Sequence, residues 1–339
     1  MTGPGKRNLI TDVAGLKVGQ AEDHAARTGV TIVLADEAVA AAVDVRGGAP
    51  GTRETDALDP MGLAGAVHAI SLSGGSVYGL DAASGVVGWL GARGRGFRIM
   101  PGVPVAPIVP GAAIFDLANG GNKDWGETPP YLALGMAAVA AASEDFALGN
   151  AGAGLGAVAG IYKGGTGSAS AVTADGFTVG ALVIVNSVGS PIIPSTDAFW
   201  AFPFERGGEF GGRRLPADFA SVDFDLPPDM KIAPRAGANT TIAVVATDAA
   251  LTHPELKRVA IMAADGFARA LRPVHTPFDG DTVFALATGR RPLGETRPYD
   301  LMRLGSLAAD CLACAIARGV YEAQTLGDIR SYKDYFPER

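Results

Sequence analysis

Gly237-Ala238-Asn239-Thr240-Thr241-Ile242-Ala243-Val244-Val245-Ala246-Thr247-Asp248 is the stretch that decides how the chain is read. Its second half is apolar and β-prone and reads as a buried strand. Its first half is turn-prone and reads as a loop running straight into that strand. The Thr240 hydroxyl is therefore expected at the mouth of a sheet, directly after an Asn. A threonine hydroxyl is a weak nucleophile until a base activates it. A threonine that begins a chain can use its own α-amine as that base. The ordinary pKa of an α-amine is about 8, so part of it is neutral near pH 7. An internal threonine must first be freed. Attack of its hydroxyl on the preceding carbonyl, here that of Asn239, gives an ester that water cleaves. Taken by itself, Asn-Thr-Thr also fits the plain start of a threonine-rich strand.

The flanks narrow the choice. Thr252-His253-Pro254-Glu255 is a capping box with Pro in the first helical turn, and an apolar helix to about Leu271 follows. Next comes Arg272-Pro273-Val274-His275-Thr276-Pro277-Phe278-Asp279-Gly280-Asp281-Thr282, running into the strand-like Val283 to Thr288. Near the start stand Asp44-Val45-Arg46-Gly47-Gly48 and Ser73-Gly74-Gly75-Ser76-Val77-Tyr78-Gly79-Leu80. In this order, across about Asn8 to Glu322, these motifs resemble the self-cleaving N-terminal-nucleophile aminopeptidases. That family includes L-aminopeptidase/D-amidase-esterases, β-aminopeptidases and nylon-oligomer endo-hydrolases. The Asn-Thr junction is more similar to the nylon-hydrolase branch than to the Gly-Ser junction of the β-aminopeptidases.

The resemblance implies an α/β fold of N-terminal-nucleophile type, an αββα sandwich of two central sheets flanked by helices. It implies one domain, cut into residues 1–239 and 240–339, with Thr240 as the nucleophile of an amide hydrolase acting through an acyl-enzyme. It also implies a homo-oligomer, a tetramer of cleaved αβ units. Asp279 and Asp281 match the family's acidic residues beside the nucleophile. Asn186 matches its oxyanion-hole asparagine and Lys163 its active-site lysine. Phe115 stands where the family commonly has Tyr. Phenylalanine cannot donate a hydrogen bond, which keeps a second reading open, that of a catalytically silent relative serving in binding or assembly.

Composition agrees with a large packed core. Of 339 residues, 48% are hydrophobic and 19% charged, and 47 glycines are interleaved with Val, Ile and Leu. The net charge of −7, with no Lys/Arg run, argues against nucleic acid as a partner. Small amide or peptide substrates suit the family instead. Cys311 and Cys314 lack the second pair that zinc needs and read as buried free thiols, which suits a cytoplasmic protein. Met1 to Asn8 contains no apolar signal-peptide region, and no stretch reads as membrane-spanning. No cofactor and no metal are expected.

In chain order, Gly29–Ala35 and Ala38–Val45 read as two strands of a hairpin turning at Asp36-Glu37. His68–Leu72 is a buried strand, and the Ser73–Ser76 turn opens a helix to about Leu90. That Gly-rich turn lacks the lysine and spacing of a P-loop, and its Gly74 and Gly75 amides are expected to line a substrate pocket with Phe115. Ile108–Leu117 reads as a strand broken by proline, Tyr131–Phe146 as a helix and Phe177–Val185 as a buried strand ending at Asn186. The runs at 149–156 and 163–170 read as Gly-rich elements, too rich in glycine for a helix. Pro191–Pro234 reads as a mobile linker ahead of the junction. Strand 241–247, helix 254–271, strand 282–288 and helix 302–323 complete the chain.

Each site residue also has a structural reading. Asp-Gly-Asp occurs widely as a turn, although close carboxylates can hold an ammonium group, bind a metal or share a proton. Asn186 can simply end a strand, or donate to an oxyanion. Lys163 can be a surface lysine in a Gly-rich turn. His275 precedes the acidic pair and is expected to support its loop.

Overall fold

In the computed structural model, residues 2–62, 65–223, 225–231 and 239–337 are described. The turn expected at Gly237-Ala238 lies outside them. The main strands are β1 (Leu16–Asp23), β2 (Thr28–Val45), β3 (Ala66–Ser73), β4 (Gly111–Ala113), β5 (Thr166–Val172), β6 (Thr178–Asn186), β7 (Thr240–Ala250) and β8 (Thr282–Pro292). The main helices are α1 (Ala82–Gly91), α2 (Tyr131–Ala140), α3 (His253–Ala263), α4 (Asp265–Ala270) and α5 (Arg297–Tyr321). The bonded strand order is β5-β6-β7-β8-β2-β3-β4, with β1 pairing β2 outside this path.

β2 makes this path into two layers. Its first half pairs with β1 and β3, and its second half pairs with β8. The register against β3 shifts between Leu34 and Val39, where Asp36, Glu37 and Ala38 are exposed. The expected hairpin is therefore replaced by one 18-residue strand. Two-residue hairpin turns call for positive φ, and none of residues 35–38 adopts it.

Alternation along the strands sorts the core. Leu182 and Ile184 of β6, Ile242 and Val244 of β7 and Phe284 of β8 meet Val33, Ile70 and Leu72 of β2 and β3 in one apolar layer between the sheets. The opposite faces, Val183, Val245 and Val283, pack on α3, α4 and α5. Val30, Ile32 and Leu34 pack on α1 and α2. The order is helices, sheet, sheet, helices, the expected αββα sandwich.

β5 was not legible as a strand because its Gly and Ser residues answer to close packing rather than β propensity. A Cβ on Gly167 would lie 1.8 Å from the Ala315 carbonyl of α5. The Ser168 hydroxyl donates to the Ala181 carbonyl at 2.6 Å and accepts from Ile10 N–H at 2.8 Å. α5 is long and apolar enough to cross a membrane, yet 72% of its apolar window is buried inside the fold. The capping box starts α3, with Glu255 accepting from Thr252 N–H at 2.7 Å. The described part of the expected linker, residues 191–223 and 225–231, is less loose than expected: Phe199 and Phe210 are buried, and Phe199 packs on Tyr332 at 4.5 Å between ring centroids.

Gly167→Ala tests the approach of α5 to β5. The added methyl meets backbone that cannot swing away, so we expect destabilisation by about 1–3 kcal/mol, as for other overpacked sites. Urea unfolding reads it. A wild-type midpoint would show that α5 does not approach the sheet this closely.

Candidate active site

Asn186 ends β6 and Thr240 begins β7, and the antiparallel register sets them directly opposite each other. Both have the parity of Leu182, Ile184, Ile242 and Val244, so both side chains continue the inter-sheet faces at one end of that core. Asn239 and Thr240 are each 2% exposed. The parallel neighbour β8 brings its entry loop alongside. Gly280 N–H donates to the Asn239 carbonyl at 2.9 Å. The Thr240 Oγ1 hydroxyl donates to the same oxygen. A Cβ on Gly280 would lie 2.8 Å from Thr240 Oγ1, so glycine is what allows this approach.

The Asp44–Gly48 motif holds the acidic loop in place. Arg46 and Gly47 N–H both donate to the Asp281 carbonyl, at 2.9 and 3.2 Å, and Ala49 N–H donates to the Asp279 carbonyl at 2.8 Å. A Cβ on Gly47 would lie 2.3 Å from the Asp281 nitrogen. A side chain there would push the loop off the junction.

Both carboxylates are buried and ringed by donors. Asp281 Oδ1 accepts from Thr241 N–H at 2.9 Å, and Oδ2 faces the N–H and ring Nδ1 of His275 at 3.0 and 2.9 Å. His275 thus supports the loop, as the sequence suggested. Asp279 Oδ1 accepts from Val188 N–H at 3.1 Å, and Oδ2 accepts from the N–H and hydroxyl of Thr276 at 3.1 and 2.5 Å. Burial, followed by the neighbouring Asp281 charge, pushes Asp279 above the usual carboxylate range, and these donors oppose that rise. These N–H and O–H groups fix both carboxylates in place beside the junction. Among the described residues no group of three or more His, Cys, Asp and Glu could hold a metal ion.

The Asn186 amide is oriented by its surroundings. Oδ1 accepts from Val158 N–H at 3.0 Å and from the Lys231 ammonium at 3.3 Å, while Nδ2 makes a long contact of 3.4 Å with the Phe115 carbonyl. Phe115 therefore meets Asn186 through its backbone. Lys231 was missed by sequence reasoning, since a single lysine in a Pro-rich stretch carries no signal. Burial pushes its ammonium down to about 7, and Asp279 pulls the other way.

Lys163 is fully buried, and its Nζ donates to the carbonyls of Gly154, Ala157 and Gly164 at 2.9, 3.0 and 2.7 Å. Burial pushes Lys163 down to about 7. Three carbonyl acceptors nevertheless call for all three protons of the ammonium form. Lys163 props the turn that leads into Val158, whose N–H holds Asn186 Oδ1. The Gly74 and Gly75 amides are not exposed. Gly74 N–H donates to the Gly29 carbonyl at 2.9 Å, and Gly75 N–H donates to Asp116 Oδ1 at 2.7 Å. Gly75 has φ +80, and a Cβ there would meet the Tyr131 ring at 2.0 Å, so the turn is built for packing.

Comparison with known proteins matches residues 8–333 to the model of peptidase family S58. The chain belongs to peptidase family S58. An uncharacterised aminopeptidase of Mycobacterium tuberculosis is 46% identical over 97% of this chain and 98% of its own. A 6-aminohexanoate-oligomer endohydrolase from Kocuria is 32% identical over 94% of this chain and 85% of its own. The mycobacterial relative is thus more similar than this member of the nylon-hydrolase branch. A β-aminopeptidase from Burkholderia superposes with a TM-score of 0.70 at 23% identity, covering 100% of this chain and 97% of that one. The L-aminopeptidase D-Ala-esterase/amidase of Ochrobactrum anthropi, described as a variant of the Ntn hydrolase fold, gives 0.69 at 22%, covering 96% and 89%. As a member of family S58 the chain is a hydrolase of peptide or amide bonds.

The propping role of Lys163 in this S58 chain predicts that Lys163→Met orphans three buried carbonyls. We expect a stability loss of about 1–3 kcal/mol by urea unfolding. An unchanged midpoint would contradict that role.

Proposed function

We propose that the chain is made whole, cuts itself between Asn239 and Thr240, and then hydrolyses amides through the freed Thr240. The observation that carries this is the shared Asn239 oxygen, which accepts from both the Thr240 hydroxyl and Gly280 N–H. The hydroxyl is already against the carbonyl it would attack, and an N–H is already aimed at the oxygen that would become negative. In the first step a C–O bond forms between Thr240 Oγ1 and the Asn239 carbonyl carbon. The C–N bond then breaks, and the hydroxyl proton passes to the departing Thr240 nitrogen. Water cleaves the resulting ester, leaving an Asn239 carboxylate and an N-terminal Thr240.

In the mature enzyme the Thr240 amine takes the hydroxyl proton as Oγ1 attacks a substrate amide. The substrate's amine leaves, and water releases the acyl group. Asp279 and Asp281, beside the junction, would hold the new ammonium in that geometry. Asn186 Nδ2 would donate to the substrate oxyanion. The 46% relative favours an aminopeptidase, and the 32% relative brings 6-aminohexanoate oligomers into the substrate range to be tried.

The test is a pair of variants followed by mass. Cleavage would leave a C-terminal chain of 339 − 239 = 100 residues. We expect Thr240→Ala to stay whole, folded and inactive, because one hydroxyl serves both reactions. Thr240→Ser should keep some of each. A cleaved or active Thr240→Ala would contradict the assignment, and an intact wild type would favour the silent relative.

We also propose a homo-oligomer, a tetramer of cleaved units. Val77, Tyr78, Leu132 and Met136 are 67%, 48%, 42% and 44% exposed, which supplies apolar surface for a second copy. Sedimentation at micromolar concentration should show the assembly, and a single unit there would refute it.

A further inference from the structure

Lys231 lies 239 − 231 = 8 residues before the junction, and two separate bonds tie it to the site. Its ammonium donates to the Asn186 carbonyl at 3.2 Å as well as to Asn186 Oδ1 at 3.3 Å. Its backbone N–H donates to the Val188 carbonyl at 3.0 Å. Val188 in turn gives its own N–H to Asp279 Oδ1 at 3.1 Å. One residue is thus tied to the asparagine opposite Thr240 and, through Val188, to the acidic loop beside it. A solvated surface lysine would not give two protons to one buried residue, because holding a long side chain in one geometry costs about 2 kcal/mol of rotamer entropy.

An asparagine amide has one accepting end and one donating end. Val158 N–H and the Lys231 ammonium both face Oδ1, so the flipped amide would set Nδ2 against two donors. Lys231, together with Val158 N–H, therefore fixes which end of Asn186 remains available to donate. We propose that Lys231 is the positioning residue of Asn186, holding Nδ2 as the donor end of the amide in both self-cleavage and substrate hydrolysis. This rests on the Thr240 reading above. It also gives the cleaved chain a purpose for its tail, since after the cut Lys231 remains bonded to Asn186 from the 1–239 side.

The test compares full-length wild type, Lys231→Met and Lys231→Arg, each followed for self-cleavage by mass, for kcat and KM on a 4-nitroanilide of an amino acid, and for Tm. Misplacing a catalytic group by about 1 Å can cost on the order of 100-fold. For Lys231→Met we expect kcat and the rate of self-cleavage to fall by about 10-fold or more, with KM and Tm near wild type. Lys231→Arg, which keeps charge and donors, should recover most of both rates. The proposal is overturned if Lys231→Met processes and turns over like wild type, or if both variants lose activity only in step with Tm. An intact, inactive wild type would instead remove the Thr240 reading, and this proposal with it.

Discussion

The antiparallel register that sets Asn186 opposite Thr240 is the constraint on which the rest of the site depends. Side chains on a strand alternate, so a slip of one residue would turn both groups to the other face of the sheet. The inter-sheet core prevents that slip. Leu182, Ile184, Ile242 and Val244 are buried in one layer, and a slip would replace them there with the residues that pack on the helices. The packing that stabilises the sandwich thus also aims the two site residues.

A second constraint acts across the ladder, where β8 runs parallel to β7. A parallel neighbour places the entry of one strand beside the entry of the other. That is why Asp279-Gly280-Asp281 arrives at the Asn239–Thr240 junction. Gly47 and Gly280 let backbone approach backbone there, where a Cβ would meet atoms at 2.3 and 2.8 Å. The carboxylates stay buried because backbone N–H groups and Thr276 and His275 satisfy them. Preorganised donors and charges in such an enclosed place are worth more than in water.

What the sequence made legible follows from locality. The β7 run, the Thr252 capping box and the Asp-Gly-Asp entry to β8 are all contiguous signals, and the residues beside the junction were named from them. β5 was lost because Gly167 and Ser168 are chosen by the approach of α5, a contact far away in sequence. The β2 hairpin was wrong because strand continuity through Asp36-Glu37 depends on which layer each half joins. The three carbonyl partners of Lys163 are visible only once the 154–157 turn is folded over it. Lys231 had no motif at all, since its role comes from Asn186 and Val188 lying beside it in space.

The account stands or falls on which bond is broken. N-terminal sequencing of the smaller fragment from freshly purified wild type reads this directly. The account predicts a single new terminus, Thr-Thr-Ile-Ala-Val, beginning at Thr240. A fragment beginning at Thr241 or at any other residue would contradict it.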